Sequence, residues 1–383
     1  MEAGTSRRNF LRGAGASAGA FTIVAPQLVR GTQANSQVSV GLIGCGGRGS
    51  YDAGIVHNDP RSRITALCDL FEDRREGAKR GMHLERPAEY EDFEKLLASS
   101  SIDAVVIATP PFEHPRMLAA AVDAKKHVYC EKPMGVDVDG AKKCIAAGKR
   151  CDPKKNISVG FQQRYGPEYL DAYRRVQEGQ IGELITARGY WIGGDPFTRK
   201  PYSDPKIEHL RNWFCYKDYS GDFIVEQDCH NFDVLHWFLG LPSRAVGYGG
   251  TKVRTSMEIL DHLSLAFEFP NGLHVNFEAN QFSPPGVGKV GEEFVGRKGM
   301  ITTSRARMVF TPGHESDAAE TVVTLNSRGD ITVDAFRAFI DRVLSGNVEN
   351  VAERSALSTM IAILGRTAIY SGKEATWKDV IGV

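Results

Sequence analysis

Val38-Ser-Val-Gly-Leu-Ile43 runs directly into Gly44-Cys-Gly46-Gly-Arg-Gly49, and residues 50–57 follow as the start of a helix. A short apolar run with β-branched members is the mark of a buried parallel strand. Glycines at the first, third and sixth positions of a strand-to-helix turn suit a pyrophosphate. Gly44 makes the tight turn, Gly46 lets the phosphates approach the backbone, and Gly49 lets helix and strand pack closely. Gly47 and Arg48 lie in the same loop, beside unpaired N–H groups at the positive end of the helix. Arg63-Ile-Thr-Ala-Leu-Cys-Asp69 then reads as a second strand ending in a carboxylate. Asp69 can accept hydrogen bonds from an adenosine ribose, which favours NAD and leaves NADP possible. A second glycine pattern, Gly286-Val-Gly288-Lys-Val-Gly291, follows Ser283-Pro-Pro285 with no strand before it and no helix after it. It reads as a loop.

The alternation continues outward from this unit. Helices are expected over 74–83, 90–97, 115–124 and 138–149, and strands over 102–108, 127–130 and 157–160. This predicts an α/β fold with a doubly wound parallel sheet over residues 35–157, whose ligands bind beyond the carboxyl ends of the strands. Thr109 and Pro110, Glu131 and Lys132 fall at such ends, with His114 on the helix after the first pair. Beyond residue 158 the pattern changes. Segments 181–192, 244–252, 261–269, 273–280, 292–295, 300–303, 308–311 and 321–325 alternate apolar and polar residues, the signature of antiparallel strands with one covered face. Helices are expected over 165–177, 225–239, 333–344 and 353–370. Residues 158–383 therefore read as an α+β domain with a large, mostly antiparallel open sheet. Its last helix is expected to pack back on the first domain. A broad sheet face needs covering, so a homo-oligomer is expected.

The chain of 383 residues carries 47 basic and 47 acidic side chains, a balance that does not point to nucleic acid or an anionic membrane. Ser6-Arg-Arg-Asn-Phe-Leu-Arg12 and the small, mildly apolar stretch 13–25 predict that residues 1–34 are a twin-arginine export signal, too short to span a bilayer. The expected location is periplasmic or otherwise exported by the twin-arginine pathway. Seven cysteines without metal-ligand spacing read as free thiols, and no metal is expected. A protein exported already folded would carry its nucleotide with it, so the NAD is expected to be held tightly.

The chain resembles the Gfo/Idh/MocA family of sugar and polyol oxidoreductases, and its twin-arginine signal is similar to that of the family's exported glucose–fructose oxidoreductases. The likeness rests on the glycine loop, Ala108-Thr-Pro-Pro111 with His114, Glu131-Lys-Pro133, Gly160-Phe-Gln-Gln-Arg-Tyr165, Glu226-Gln-Asp-Cys-His230 with Asp233, and Leu364-Gly-Arg-Thr-Ala-Ile-Tyr370. The family usually has Asp-x-Gly-x-His where this chain has Glu226-x-Asp228-x-His230. The resemblance implies hydride transfer between a nicotinamide and a carbohydrate hydroxyl, with Lys132 near the reacting centre.

Removing hydride from a carbinol requires a base for the hydroxyl proton. Lys132, partly desolvated beside an oxidised ring, is expected to have a lowered pKa and to relay that proton. His230, four residues after Glu226, is expected to share a helical face with it and to serve as base near neutrality. Arg164, Tyr165, Trp191, Asn212, Trp213 and Asp233 are the candidates for gripping a small carbohydrate or glycoside. A rival outcome uses NAD transiently: oxidation, elimination of a glycosidic oxygen, and return of the hydride, with Glu226 or Asp228 as the added acid or base.

Overall fold

The computed structural model describes residues 37–194 and 196–381. The expected export signal lies outside the described residues. β1 (Val38–Ile43) is buried along its whole length. The chain then forms α1 (Gly47–Asn58), β2 (Ser62–Cys68), α2 (Glu72–Gly81), β3 (Ala88–Tyr90), α3 (Phe93–Leu97), β4 (Ala104–Ile107), α4 (His114–Asp123), β5 (His127–Cys130), α5 (Val138–Lys149) and β6 (Ile157–Val159). These six strands pair in parallel in the order β3-β2-β1-β4-β5-β6. The winding changes direction between β1 and β4, which opens a crevice at their carboxyl ends. One expectation fails locally. Residues 90–97 are not one helix: Tyr90 ends β3, and α3 begins only after Asp92, whose side chain accepts the Glu94 N–H at 2.9 Å.

A single 3₁₀ turn, Gln162–Tyr165, leads into α6 (Pro167–Gln177), β7 (Leu184–Ile192), α7 (Pro205–Arg211), α8 (Lys217–Ser220), α9 (Phe223–Glu226) and α10 (Cys229–Leu239). Then come β8 (Arg244–Gly250), β9 (His262–Glu268), β10 (His274–Asn280), β11 (Lys289–Gly296), β12 (Gly299–Thr303), β13 (Arg307–Pro312) and β14 (Val322–Leu325). The chain closes with α11 (Ile331–Ser345), α12 (Ala352–Ser371), β15 (Ala375–Thr376) and α13 (Trp377–Ile381). The second sheet has nine strands in the order β14-β13-β12-β11-β7-β10-β9-β8-β15, antiparallel except where β7 meets β10. All eight expected segments take part, and β15 adds an edge too short to show in the sequence. The second glycine pattern is only half loop, because Gly291 already lies in β11, where an added Cβ would meet the Thr303 carbonyl oxygen at 1.9 Å.

Period-two alternation buries Leu263, Leu265 and Phe267 of β9 with Val275, Phe277 and Ala279 of β10. α10 lies on this face, with the Phe232 ring 4.7 Å from Phe277 and Phe238 stacked on Phe294 at 4.4 Å. Each such buried ring contributes about 1.5–3 kcal/mol. The division of the sequence near residue 157 is not a division of the packing. α11 returns to cover the first sheet, where Phe336 stacks on Tyr129 at 4.0 Å and shares a core with Val40, Leu42 and Val106.

Candidate active site

The crevice beyond β1, β2, β4 and β5 opens into a cavity of about 670 Å³ that also touches β7, α7, α9 and the start of α10. The three glycines of the loop have separate roles. Gly44 has φ +94°, and a Cβ there would lie 2.6 Å from the Ala108 backbone. A Cβ on Gly49 would lie 1.9 Å from the Gly44 carbonyl oxygen. Gly46 and Gly47 have nothing within 4 Å of a built Cβ and line the cavity. α1 starts after Gly46 without a side-chain cap, so its first N–H groups remain available to an anion. Asp69 stands just past β2. Its two oxygens accept the Cys45 N–H at 2.8 Å and the Phe71 N–H at 2.9 Å, which orients the carboxylate at the cavity wall. A cradle that excludes side chains, free N–H groups and a fixed carboxylate together fit a dinucleotide.

Other expected cofactor contacts are arranged differently. Arg48 is clamped: its Nε and Nη2 donate to Glu131 Oε1 at 3.0 and 2.9 Å, and Nε lies 3.1 Å from Asp52. Glu131 is buried against Gly160, and its other oxygen accepts the Lys132 N–H at 3.1 Å. Burial would raise the Glu131 carboxyl, but Arg48 and Lys132 outweigh it and hold it low. Asp52 is raised well above an ordinary carboxyl, by burial first and by Glu131 second. Glu131 and Arg48 therefore border the cavity as a bonded pair. His114 is also buried, with Nδ1 2.7 Å from the Pro133 carbonyl and Nε2 2.9 Å from that of Thr109. It ties together the loops after β4 and β5 and lines the cavity alongside Thr109 and Pro110.

Lys132, Glu226 and His230 all line this cavity. Lys132 Nζ donates to the Glu226 carboxylate at 2.8 Å and to the Glu226 carbonyl at 2.6 Å, a contact between the two sheets' domains. The expected geometry of Glu226 and His230 on one helix is wrong. The helix expected over 225–239 breaks after Glu226, and α10 begins at Cys229. The His230 N–H turns to the Gln227 carbonyl at 3.5 Å, and the Glu226 carbonyl accepts instead from Lys132 and from the Cys229 thiol. The expected pKa values are corrected too. Burial pushes Lys132 down, but Glu226, Cys229 and Glu131 outweigh it, so the ammonium stands above an ordinary lysine. His230 is held well below its ordinary value by burial, then by Lys132, Arg305 and Arg48. It is a neutral imidazole at pH 7, and its buried Nδ1 has no hydrogen-bond partner among the described residues. Phe161 meets the ring edge-on at 6.0 Å and Trp191 stacks on it at 5.8 Å.

Of the six residues expected to hold substrate, Trp191 and Trp213 line the cavity. Arg164 and Asp233 do not: they form a buried pair at 2.7 Å, with the guanidinium over Trp237 and Asp233 also accepting from Ser358. Tyr165 packs instead beside Arg342, which donates to its hydroxyl at 3.3 Å. Asn212 is buried and braces the loop before α7 through the backbone of Lys200. Two residues before Arg164, Gln162 does reach the cavity, with a buried oxygen that has no partner among the described residues. Gln227 and Arg305 line it as well. At the far end Arg211 of α7 stacks on Phe71 at 3.9 Å and pairs with Asp73, bridging the two domains across the cavity. Among the described residues no group of three His, Cys, Asp or Glu side chains could hold a metal ion.

Comparison with known proteins places both halves of the chain in one family. A model for an oxidoreductase family with an NAD-binding Rossmann fold matches residues 38–161, and one for the GFO/IDH/MocA C-terminal domain matches residues 169–302. The scyllo-inositol 2-dehydrogenase (NAD(+)) of Bacillus subtilis is 29% identical over 270 residues, covering 69% of this chain and 73% of the relative. The myo-inositol 2-dehydrogenase of Thermotoga maritima is 23% identical over 353 residues, 90% of this chain and 99% of the relative. Among solved structures, levoglucosan dehydrogenase in complex with NADH and levoglucosan superposes with a TM-score of 0.76 at 19% identity, covering 89% of this chain and 99% of the other. At that identity the likeness concerns the fold.

Proposed function

The chain belongs to the Gfo/Idh/MocA family of oxidoreductases, and on that premise we propose that it is an NAD-dependent dehydrogenase acting on a secondary hydroxyl of a cyclic polyol or sugar. The observation that carries this reading is the meeting of Lys132, Glu226 and His230 on the wall of the cavity that the glycine loop and Asp69 also line. The Gly44–Gly49 loop would hold the pyrophosphate of NAD and Asp69 its adenosine ribose, and NAD bound there would supply the hydride acceptor.

The chain's own groups divide the remaining work by their environments. Lys132 uses two of its three N–H donors on Glu226 and has one left for a substrate oxygen. Being firmly charged, it stabilises the oxyanion that forms as the hydroxyl proton leaves. His230, held neutral beside three cations, is the group able to accept that proton. Two neighbouring titratable groups pushed in opposite directions are a recurring acid and base arrangement. Trp191 and Trp213 offer apolar faces to the C–H side of a ring substrate.

The test mixes purified protein with NAD and scyllo-inositol, myo-inositol, levoglucosan or glucose and follows absorbance at the nicotinamide band. Reduction of NAD by at least one of them, lost by about 10²–10⁴-fold in His230→Asn, supports the reading. Nucleotide binding without turnover of any, or an unaltered His230→Asn, refutes it.

Two further parts of the proposal concern the whole protein. Export through the twin-arginine route is supported by residues 6–12 and by seven cysteines that are all free. Fractionation of cells expressing the full chain and an Arg7→Lys, Arg8→Lys variant tests it. Self-association is supported by exposed apolar side chains on the second sheet, Ile185, Val246, Tyr248, Val323 and Leu325. A monomeric mass by light scattering would refute that part.

A further inference from the structure

Six Lys and Arg side chains line the cavity, and four of them already have an acid: Arg48 with Glu131, Lys132 with Glu226, Arg116 with Glu113 and Arg211 with Asp73. Arg74 and Arg305 have none within ion-pair distance among the described residues. Arg74 lies beside Asp69, at the adenosine end. Arg305 lies at the other end. It sits in the turn between β12 and β13, exposed, with its guanidinium 5.1 Å from the centre of the Trp191 ring, the same ring that stacks on His230.

A guanidinium held over an indole by a cation–π contact spends none of its N–H donors on that contact. The acids nearest in charge terms are engaged elsewhere. Glu292 is buried and accepts from Asn231 at 2.6 Å and from Thr303, while Asp330 accepts from Tyr51 and from the Thr332 N–H at 2.8 Å. The reacting end of the cavity thus holds a charged fork with no carboxylate within ion-pair distance among the described residues. Nothing in the hydride transfer itself requires it.

We propose that Arg305 is a specificity-determining residue that receives an anionic substituent of the substrate, a carboxylate or a phosphate, so that the preferred substrate is a sugar acid or sugar phosphate rather than a neutral polyol. The inference rests on the dehydrogenase reading and narrows its substrate class. Guanidinium forks bind both anions in a two-pronged fashion, so the shared chemistry is a planar or tetrahedral oxyanion.

The experiment titrates NADH-loaded protein with D-glucuronate, D-glucose 6-phosphate and D-glucose by calorimetry, in the wild type, Arg305→Gln and Arg305→Lys, and follows NAD reduction with the same three. The expected result is that one anionic sugar binds about 10- to 100-fold more tightly than glucose. That preference disappears in Arg305→Gln and is partly kept in Arg305→Lys, and the arm that binds tells carboxylate from phosphate. Equal binding of all three overturns the inference. So does an Arg305→Gln variant whose NADH affinity falls instead, since the guanidinium would then serve the cofactor. The two readings separate cleanly. Equal turnover of neutral and anionic sugars sinks the anion site and keeps the dehydrogenase, whereas an Arg305-dependent binding preference with no NAD reduction does the reverse.

Discussion

Replacing Glu226 with Gln keeps the shape of the Lys132 contact and removes its charge. Lys132 Nζ and Glu226 Oε1 are 2.8 Å apart, with side chains 12% and 14% exposed, so their attraction is about 6 kcal/mol at an effective dielectric of about 20. The Gln oxygen and the Glu226 carbonyl remain as neutral acceptors, so the loss felt by the ammonium is smaller, on the order of 2–3 kcal/mol. That corresponds to a roughly 30- to 150-fold larger acid dissociation constant for Lys132. The sign follows from the direction of the shift. Lys132 stands above an ordinary lysine only because its neighbours outweigh burial, so removing Glu226 lets burial act and lowers it. If the reaction needs the charged form, kcat/KM falls as pH rises through the Lys132 pKa, and in Glu226→Gln that fall begins at lower pH. The assay is a pH profile of NAD reduction from pH 6 to 11, with thermal unfolding of each variant at every pH to separate loss of fold from loss of function. An alkaline limb that stays in place, or moves upward, would show that the charge on Lys132 is not what the chemistry uses.

Further expectations are independent of that pair. His230→Asn should lower kcat by about 10²–10⁴-fold and leave the NADH dissociation constant within about threefold, read by fluorescence titration. Gly49→Ala puts a methyl group 1.9 Å from the Gly44 carbonyl oxygen, so calorimetry should detect no nucleotide binding. Asp69→Ala should weaken NAD more than NADP, narrowing the preference by on the order of tenfold in KM ratios. Arg211→Ala opens the bridge to Phe71 and Asp73 and should speed NADH release in stopped-flow measurements. Glu168 is buried, has no hydrogen-bond partner among the described residues, and is pushed up to about 7 by burial. Its contribution to stability is therefore full at acid pH and is lost as pH rises from about 4.3 through about 7. Glu168→Gln should flatten that part of the urea midpoint against pH, and an unchanged slope would count against it.

What the sequence discloses and what it hides follow from how local the cause is. The glycine loop, Asp69 and the strand-end positions of Thr109 and Lys132 are legible because each depends on a short apolar run and the few residues that end it. The break after Glu226 is not, because apolar residues at helical spacing continue through it, and the event that matters is a carbonyl turned toward a lysine 94 residues away. Arg164 was the more conspicuous charge in its segment, yet Asp233 buries it, and the less conspicuous Gln162 faces the cavity. Nothing near Arg305 marks it: an arginine in a hairpin turn is ordinary until β7 brings Trp191 beneath it. β3 and β15, at 3 and 2 residues, are too short for any alternation to show.

The return of α11 to the first sheet also bears on how the molecule comes into being. Tyr129, Leu42 and Val106 are synthesised two hundred residues or more before Phe336 and Phe339, the rings that shield them from water. Until those rings emerge, one side of the nucleotide-binding layer is covered only in part, by α1 and α2, so neither half of the polypeptide can mature ahead of the other. A nascent chain cut short before α11 would leave that layer greasy and prone to clump, and the finished protein should melt in one step rather than two.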